Sequence, residues 1–271
     1  MAHASGEIGL FESIWKGGYR EGDPMDPLNS GSYFQMGFIS VIHAIYQVCI
    51  RPYVNPATVV LEIGPGRGAW TKTMLPAREI WCLDALSAEH NAFWEYVGEE
   101  NKTKAKYIKV TDFSCKDLPD DHFDFLFSFG TFCHITWQGQ CQYYSNLYPK
   151  MRKGATAMVM FADFDKYGAA VERYRGVRLR PQRVCGHPVL SDLLDIARYV
   201  GARLLRGRGA ADYRKDWLVL DKNDTAVAPG KWYHAGIEET RRFLESVGWE
   251  VISPDIGLSP RDPIVHFRKL M

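Results

Sequence analysis

The chain carries no surplus charge of either sign: 33 Lys and Arg stand against 32 Asp and Glu, a formal net charge of +1 over 271 residues. A surface dedicated to nucleic-acid phosphates is markedly basic, so that class is disfavoured, although a local basic patch remains allowed. There is no Cys-x-x-Cys pair. Cys49, Cys82, Cys115, Cys133, Cys141 and Cys185 are scattered, which argues against a zinc cage and against a disulfide framework. Several lie among apolar residues and read as reduced core thiols. No basic segment leads into an apolar core at the N-terminus, so no signal peptide is expected. Tyr33 to Ile50 comes nearest to a membrane span, but Gln35, His43 and Gln47 interrupt it. Its apolar residues recur at helical spacing, as in an amphipathic helix. Repeats and low-complexity tracts are also missing. With 46% hydrophobic and 24% charged residues, the expectation is a cytoplasmic globular protein, one large domain or a domain with a sizeable insertion.

What is present centres on Val59-Val60-Leu61-Glu62-Ile63-Gly64-Pro65-Gly66-Arg67-Gly68-Ala69-Trp70. An apolar, β-branched run reads as a buried strand, and alternate glycines then lead into a helix. Glycine is needed where the backbone takes unusual dihedrals or lies against a ligand. At the mouth of a parallel sheet such a loop forms a nucleotide-type pocket. Spacing alone also fits a dinucleotide fingerprint. Glu62, two residues before the first glycine, favours another class. Glu62-x-Gly64-x-Gly66-x-Gly68 resembles motif I of the class I S-adenosylmethionine-dependent methyltransferases, and the chain looks similar to small-molecule and sugar O-methyltransferases of that class.

The resemblance implies a Rossmann-like, seven-stranded, mostly parallel sheet between helices, with S-adenosylmethionine as cofactor. It covers roughly 33–163 and 236–271. Glu62 would organise the loop, and Gly64, Pro65, Gly66 and Gly68 would make room for the methionine part of the cofactor. Ile80 to Asp84 reads as the second strand. Asp84 lies about twenty residues beyond the first glycine, where a carboxylate can accept both ribose hydroxyls. After a helix over Ala88 to Val97 and a strand at Tyr107 to Val110, the resemblance gives Asp112 the adenine amino group and Phe113 the ring. Asp112 also reads as a plain turn residue. Phe123 to Gly130 is the fourth strand, in the region of the family's motif IV, and brings Ser128 to the cofactor.

Thr131-Phe132-Cys133-His134 follows at the sheet rim. The Asn/Asp-Pro-Pro-aromatic run of nucleic-acid amino-methylating relatives is missing, as is the Pro-Cys nucleophile of cytosine C5 enzymes. Both absences favour an oxygen acceptor on a small molecule. A hydroxyl is a poor nucleophile unless a base takes its proton, and a neutral histidine suits that task. His134 is the first candidate and His234 the second, with Asp163 to orient an imidazole or bind an acceptor hydroxyl. His134 also reads as a rim residue that packs or caps. Trp232 and Tyr233 offer a flat face for a sugar or aromatic ring, or pack beneath the insertion. Asp163 and Asp165 could supply oxygen ligands to a divalent cation. No third carboxylate stands beside Gly130-Thr131, so metal-independent base catalysis is expected.

Residues 1–32, rich in Gly, Pro, Asp and Ser, read as an arm with little regular structure, or as a lid in which Trp15 and Tyr19 reach the substrate or pin the arm to the body. A helix from Gln138 to Met151, closed by Lys153-Gly154, leads to a strand at Ala157 to Phe161. Then 165–235 interrupts the pattern before a helix over Ile237 to Val247 that stops at Gly248. Trp249 to Ile252 and Ile264 to Arg268 are the closing strands. The interruption reads as a cap that sets acceptor specificity. Its arginines, among them Arg173, Arg175 and Arg183, suit a phosphate or carboxylate, or else a solvated or oligomer-facing surface. The whole points to O-methylation of a small polar acceptor, preferably a saccharide or glycosylated metabolite, without nucleic acid or membrane. A natural-product phenol, a carboxylate or an amine are the other acceptors, and a nicotinamide dehydrogenase or a catalytically silent binder are the rival classes.

Overall fold

Val59–Ile63 forms β1, and every residue of it is buried because helices cover both faces of the sheet around it. In the computed structural model the described residues are 3–15, 17, 22–27, 40–176, 218–219, 221–223, 231–259 and 261–270. β1 is joined by β2 (Glu79–Asp84), β3 (Ala105–Lys109), β4 (Phe123–Ser128), β5 (Met151–Met160), β8 (Trp249–Ser253) and β9 (Ile264–Lys269). They form one seven-stranded sheet in the order β3-β2-β1-β4-β5-β9-β8. The first five strands run parallel, and β9 is antiparallel to β5 and β8. A second, two-stranded parallel pair joins β6 (Leu218–Val219) to β7 (Trp232–Tyr233).

Alternation along β1 divides the core. Val59, Leu61 and Ile63 pack on the face that holds Tyr143, Tyr144 and Leu147 of α5 (Trp137–Leu147) and Leu244 of α7 (Ile237–Val247). Val60 packs on the opposite face with Ile45 of α2 (Val41–Ile45), Trp70 and Met74 of α3 (Ala69–Met74), and Phe93 and Val97 of α4 (Phe93–Val97). A side-chain period of two is what places successive β1 residues in different cores. Because β2 and β4 flank β1 on opposite sides, the strand order reverses there. In an open parallel sheet that reversal opens a crevice outside the carboxyl ends of the strands.

Local structure departs from expectation in four places. The N-terminal arm contains α1 (His3–Ile14), whose Glu7 and Ile8 are buried; the Gly and Ser content had suggested irregular chain, but tertiary packing overrides that propensity. The helix expected over Ala88 to Val97 shrinks to α4, because Ala92 takes a left-handed conformation (φ 49°) that a right-handed helix cannot absorb. α5 ends at Leu147 rather than Met151. Pro149 cannot continue an α-helix, so a 3-10 turn, Tyr148–Lys150, follows, and Lys153-Gly154 lies inside β5. Lastly, α6 (Phe164–Gly176) begins shortly after β5, at the start of the insertion, where no helix was expected.

Of the expected helix from Tyr33, residues 41–50 are helical, the last turn, Tyr46–Ile50, having π geometry; 33–39 lie outside the described residues. So does most of the expected cap, including Ser191 to Val200, which reads as a helix in the sequence, and the arginines beyond residue 176. α7 behaves as expected: Glu238 and Glu239 sit in its first turn, and Gly248 (φ 111°) closes it in the left-handed conformation.

Candidate active site

The carboxyl end of β1 runs into a loop whose three glycines all take positive φ: 70° at Gly64, 53° at Gly66 and 97° at Gly68. They are not equivalent. A Cβ at Gly64 would stand 1.9 Å from Thr131 Oγ1, and one at Gly68 would stand 2.3 Å from Val97 Cγ2. Those two glycines are demanded by the protein's own packing. A Cβ at Gly66 would meet no heavy atom within 4 Å; it faces open space.

That space is a cavity of ≈ 390 Å³, within the ~300–1,000 Å³ range of small-molecule sites. Its walls come from the carboxyl ends of the strands and from α1. Ile63 to Arg67 form one side, Asp84 and Asn91 the next, and Val110, Phe113, Ile135 and Tyr143 an apolar slot. Thr131, Cys133, His134, Trp232 and Arg261 line the far end, and Phe11 and Trp15 close over it. Structure thus brings Gly64, Pro65, Gly66, Asp84, Phe113, Trp15, His134 and Trp232 together.

Asp84 is 8% exposed and is held by the loop it faces: Gly66 N–H donates to Oδ2 at 3.0 Å and Leu86 N–H to Oδ1 at 2.9 Å. Burial pushes its pKa up, against the opposing pull of these bonds and of Asn91. Asn91 Nδ2 also donates to Tyr107 Oη at 2.8 Å, and Tyr107 Oη donates to Leu86 O. A carboxylate oxygen has two lone pairs, so Asp84 retains acceptor capacity toward the cavity.

Glu62, 1% exposed, accepts from Thr71 Oγ1 at 2.6 Å and so ties β1 to α3 beneath the glycine loop. It does not line the cavity. Nor does Ser128, whose hydroxyl donates to Ile63 O at 2.8 Å and braces β4 against β1. Asp112 is likewise off the wall: its Oδ1 accepts from Ser114 N–H at 2.8 Å, the bond of an Asx turn, and the Ser114 hydroxyl together with that N–H holds its pKa down.

The three proposed catalytic groups separate. His134 Nδ1 lies 3.0 Å from Lys231 O. A carbonyl only accepts, so Nδ1 carries the proton and the neutral ring keeps its basic lone pair on Nε2. His234 is arranged the other way: its Nδ1 accepts from Phe164 N–H at 2.9 Å at the start of α6. The basic nitrogen is therefore engaged with backbone, and burial pushes its pKa down. Asp163 caps two helices at once. Oδ1 accepts from Lys166 N–H and Oδ2 from Ile237 N–H, each at 2.8 Å, at the N-termini of α6 and α7. Neither His234 nor Asp163 lines the cavity, and the buried Tyr233 does not either. Tyr19 lies outside the described residues. Among the described residues no cluster of three or more His, Cys, Asp or Glu has metal-binding geometry, and no helix is long and apolar enough to cross a membrane.

Because it caps two helices, Asp163→Ala is expected to lower unfolding free energy by about 2–4 kcal/mol. The pH dependence of turnover should be unchanged, and denaturant titration beside a pH–rate profile checks both. A shifted profile would restore a catalytic part to Asp163.

Residues absent from the expectation also matter. Glu7, in α1, accepts from Thr136 N–H at 2.7 Å and Thr136 Oγ1 at 2.8 Å, docking α1 on the N-terminus of α5. Burial raises its pKa. Phe11 stacks on Trp15 (centroids 5.2 Å apart), and Trp15 meets the His134 ring at 5.4 Å. Phe11 and Trp15 are four residues apart, and Trp15 N–H donates to Phe11 O at 2.9 Å just past the end of α1, which brings the two rings together; that spacing was the available signal.

Residues 61–159 match the family model described as "Methyltransferase domain". That stretch of the chain carries a methyltransferase domain. With that match the dehydrogenase alternative falls away. The methyltransferase is similar in fold to two solved S-adenosylmethionine-dependent methyltransferases. The one from Mesorhizobium loti is 15% identical, covering 85% of this chain and 98% of that one, with TM-score 0.52. The one from Methanosarcina mazei is 12% identical, covering 83% and 98%, with TM-score 0.50. No curated protein sequence matches the methyltransferase.

One buried group near the far end couples to pH. Asp262, 2% exposed, has its pKa pushed up from 3.8 to about 6 because burial outweighs the opposing charges of Arg261, Lys166 and His134. The fold therefore binds this proton more tightly than the unfolded chain does. Its stabilising contribution is complete below pH 3.8 and is lost as pH rises through about 6, a difference of about 3 kcal/mol. Asp262→Asn should flatten that fall in a series of denaturant titrations between pH 4 and 7; an unchanged slope would place the effect elsewhere.

Proposed function

We propose that the methyltransferase is a cytoplasmic O-methyltransferase that methylates a hydroxyl of a small polar acceptor, a saccharide or glycosylated metabolite, with His134 as general base. The observation that carries this reading is the His134 hydrogen bond to Lys231 O, which leaves the ring's basic lone pair on Nε2 in a residue of the cavity wall.

The residues present fit the cofactor. The open space at Gly66 admits a ligand against the backbone, Asp84 offers acceptor oxygens for ribose hydroxyls, and the slot of Val110, Phe113, Ile135 and Tyr143 suits a flat purine. Arg67, whose guanidinium carbon lies 4.5 Å over the Tyr96 ring beside the loop, matches the methionyl carboxylate. Bound S-adenosylmethionine supplies an electrophilic methyl group on its sulfonium. Trp15 and Trp232 orient the acceptor ring, Phe11 and Trp15 exclude water, and His134 Nε2 takes the hydroxyl proton while Nδ1–H remains on the Lys231 carbonyl.

Incubation with methyl-labelled S-adenosylmethionine and a panel of sugars, phenols, carboxylic acids and amines tests the class. The expected product is a methyl ether. A methyl ester or methylamine as the main product would overturn the oxygen-acceptor and base assignments together.

A further inference from the structure

We propose that Arg261 and Trp232 form a subsite for an acidic acceptor, one that bears a carboxylate or phosphate beside the hydroxyl presented to His134. The inference rests on the O-methyltransferase reading above and narrows its substrate class.

Arg261 lies in the turn before β9 and is part of the cavity wall. Its side chain is 55% exposed, and an arginine in that position ordinarily samples many rotamers. Here two contacts fix it. Nε donates to Asp262 Oδ2 at 2.6 Å, and the guanidinium carbon stands 4.6 Å over the Trp232 ring. Asp262 is itself anchored, its backbone N–H donating to Ser259 Oγ at 3.2 Å, and Trp232 is packed edge-on by Tyr167 at 5.7 Å. The terminal amino groups of a guanidinium form a planar edge that suits a carboxylate or phosphate.

Position supplies the second argument. Of the carboxylates of the wall, Glu7 accepts from Thr136 and Asp84 from Gly66 N–H and Leu86 N–H, and Arg67 by the glycine loop matches the single carboxylate of the cofactor. Arg261 stands over the ring of Trp232. The β7 strand that carries Trp232 packs against the turn holding His134, and the residue before Trp232 supplies the carbonyl that orients His134. A second guanidinium there corresponds to no group of the cofactor. Its stacking partner Trp232 is on the strand that packs against the His134 turn, and both side chains line the same cavity.

The test uses the full chain loaded with S-adenosylhomocysteine and titrated calorimetrically with matched probes: glucose, glucuronate and glucose 6-phosphate, then 4-hydroxybenzyl alcohol and 4-hydroxybenzoate. In at least one set the acid should bind roughly 10- to 100-fold tighter than its neutral partner, and glucuronate against glucose 6-phosphate tells carboxylate from phosphate. The advantage should vanish in Arg261→Gln combined with Asp262→Asn, which leaves no buried carboxylate unpaired, and should shrink in Arg261→Lys. S-adenosylhomocysteine affinity should not move. No acid preference in any set, or a preference that survives the double variant, overturns the proposal. Should the double variant fail to fold, the wild-type protein decides: acid binding must weaken between about 50 and 500 mM salt while neutral binding does not, and salt-independent acid binding overturns it. Acid binding through Arg261 without methyl transfer to hydroxyl would sink the base reading and leave this subsite standing. Transfer to a neutral hydroxyl with no acid preference would do the reverse.

Discussion

His134→Ala is expected to turn over roughly 10²- to 10⁴-fold more slowly near neutral pH, with no change in S-adenosylhomocysteine affinity. The separation follows from geometry: the glycine loop and Asp84 hold the cofactor side, while His134 stands at the far end with its Nδ1 on Lys231 O. Steady-state kinetics beside calorimetry would show it, and the acid limb of the pH–rate profile should disappear with the imidazole. His134→Gln should not restore turnover, since an amide can hydrogen-bond the Lys231 carbonyl yet cannot accept the proton. Near-normal turnover in His134→Ala would remove the base assignment altogether, because among the described residues that line the cavity His134 is the one imidazole.

Gly64→Ala and Gly66→Ala should fail in different ways. At Gly64 the new Cβ meets Thr131 side-chain atoms at 1.9–2.7 Å in a left-handed conformation. Strain plus overpacking is expected to cost about 2–5 kcal/mol of stability. At Gly66 there is no collision within the protein, so only the conformational cost of about 1–2 kcal/mol applies. The methyl group instead occupies ligand space, and cofactor binding should be lost from a folded protein. Thermal melts with and without S-adenosylhomocysteine distinguish the two: Gly64→Ala melts low, whereas Gly66→Ala melts near the parent value and gains nothing from ligand. Ligand stabilisation of Gly66→Ala would mean that the cofactor does not approach the loop there.

The parallel sheet was legible because its strands are buried on both faces. Val59-Val60-Leu61 and Phe125-Leu126-Phe127 read as continuous apolar runs whatever packs on them. Gly64 and Asp84 were legible because backbone conformation and strand-end position are local properties. The catalytic side was harder. Asp163 looks in sequence like any carboxylate past a strand end, and only the return of the chain at Ile237 reveals it as a cap. His134 and His234 are equivalent on paper; the difference is which nitrogen faces a carbonyl and which an N–H, a matter of partners 97 and 70 residues away. Arg261 gave no signal at all, since its value comes from Trp232 and a buried neighbour. α1 was hidden by Gly6 and Gly9, and its docking by Glu7 depends on Thr136, far along the chain.

The two-helix cap at Asp163 has an evolutionary consequence. Chain leaving β5 and chain entering α7 are fastened at one point, by Asp163 to Ile237 N–H and by Ala235 N–H to Ala162 O at 2.9 Å. Whatever runs between them departs and returns through the same doorway. Its length and sequence can then change with only a slow rise in closure entropy and without disturbing the sheet. Variation in that segment is thereby decoupled from the strands that carry the glycine loop and Asp84.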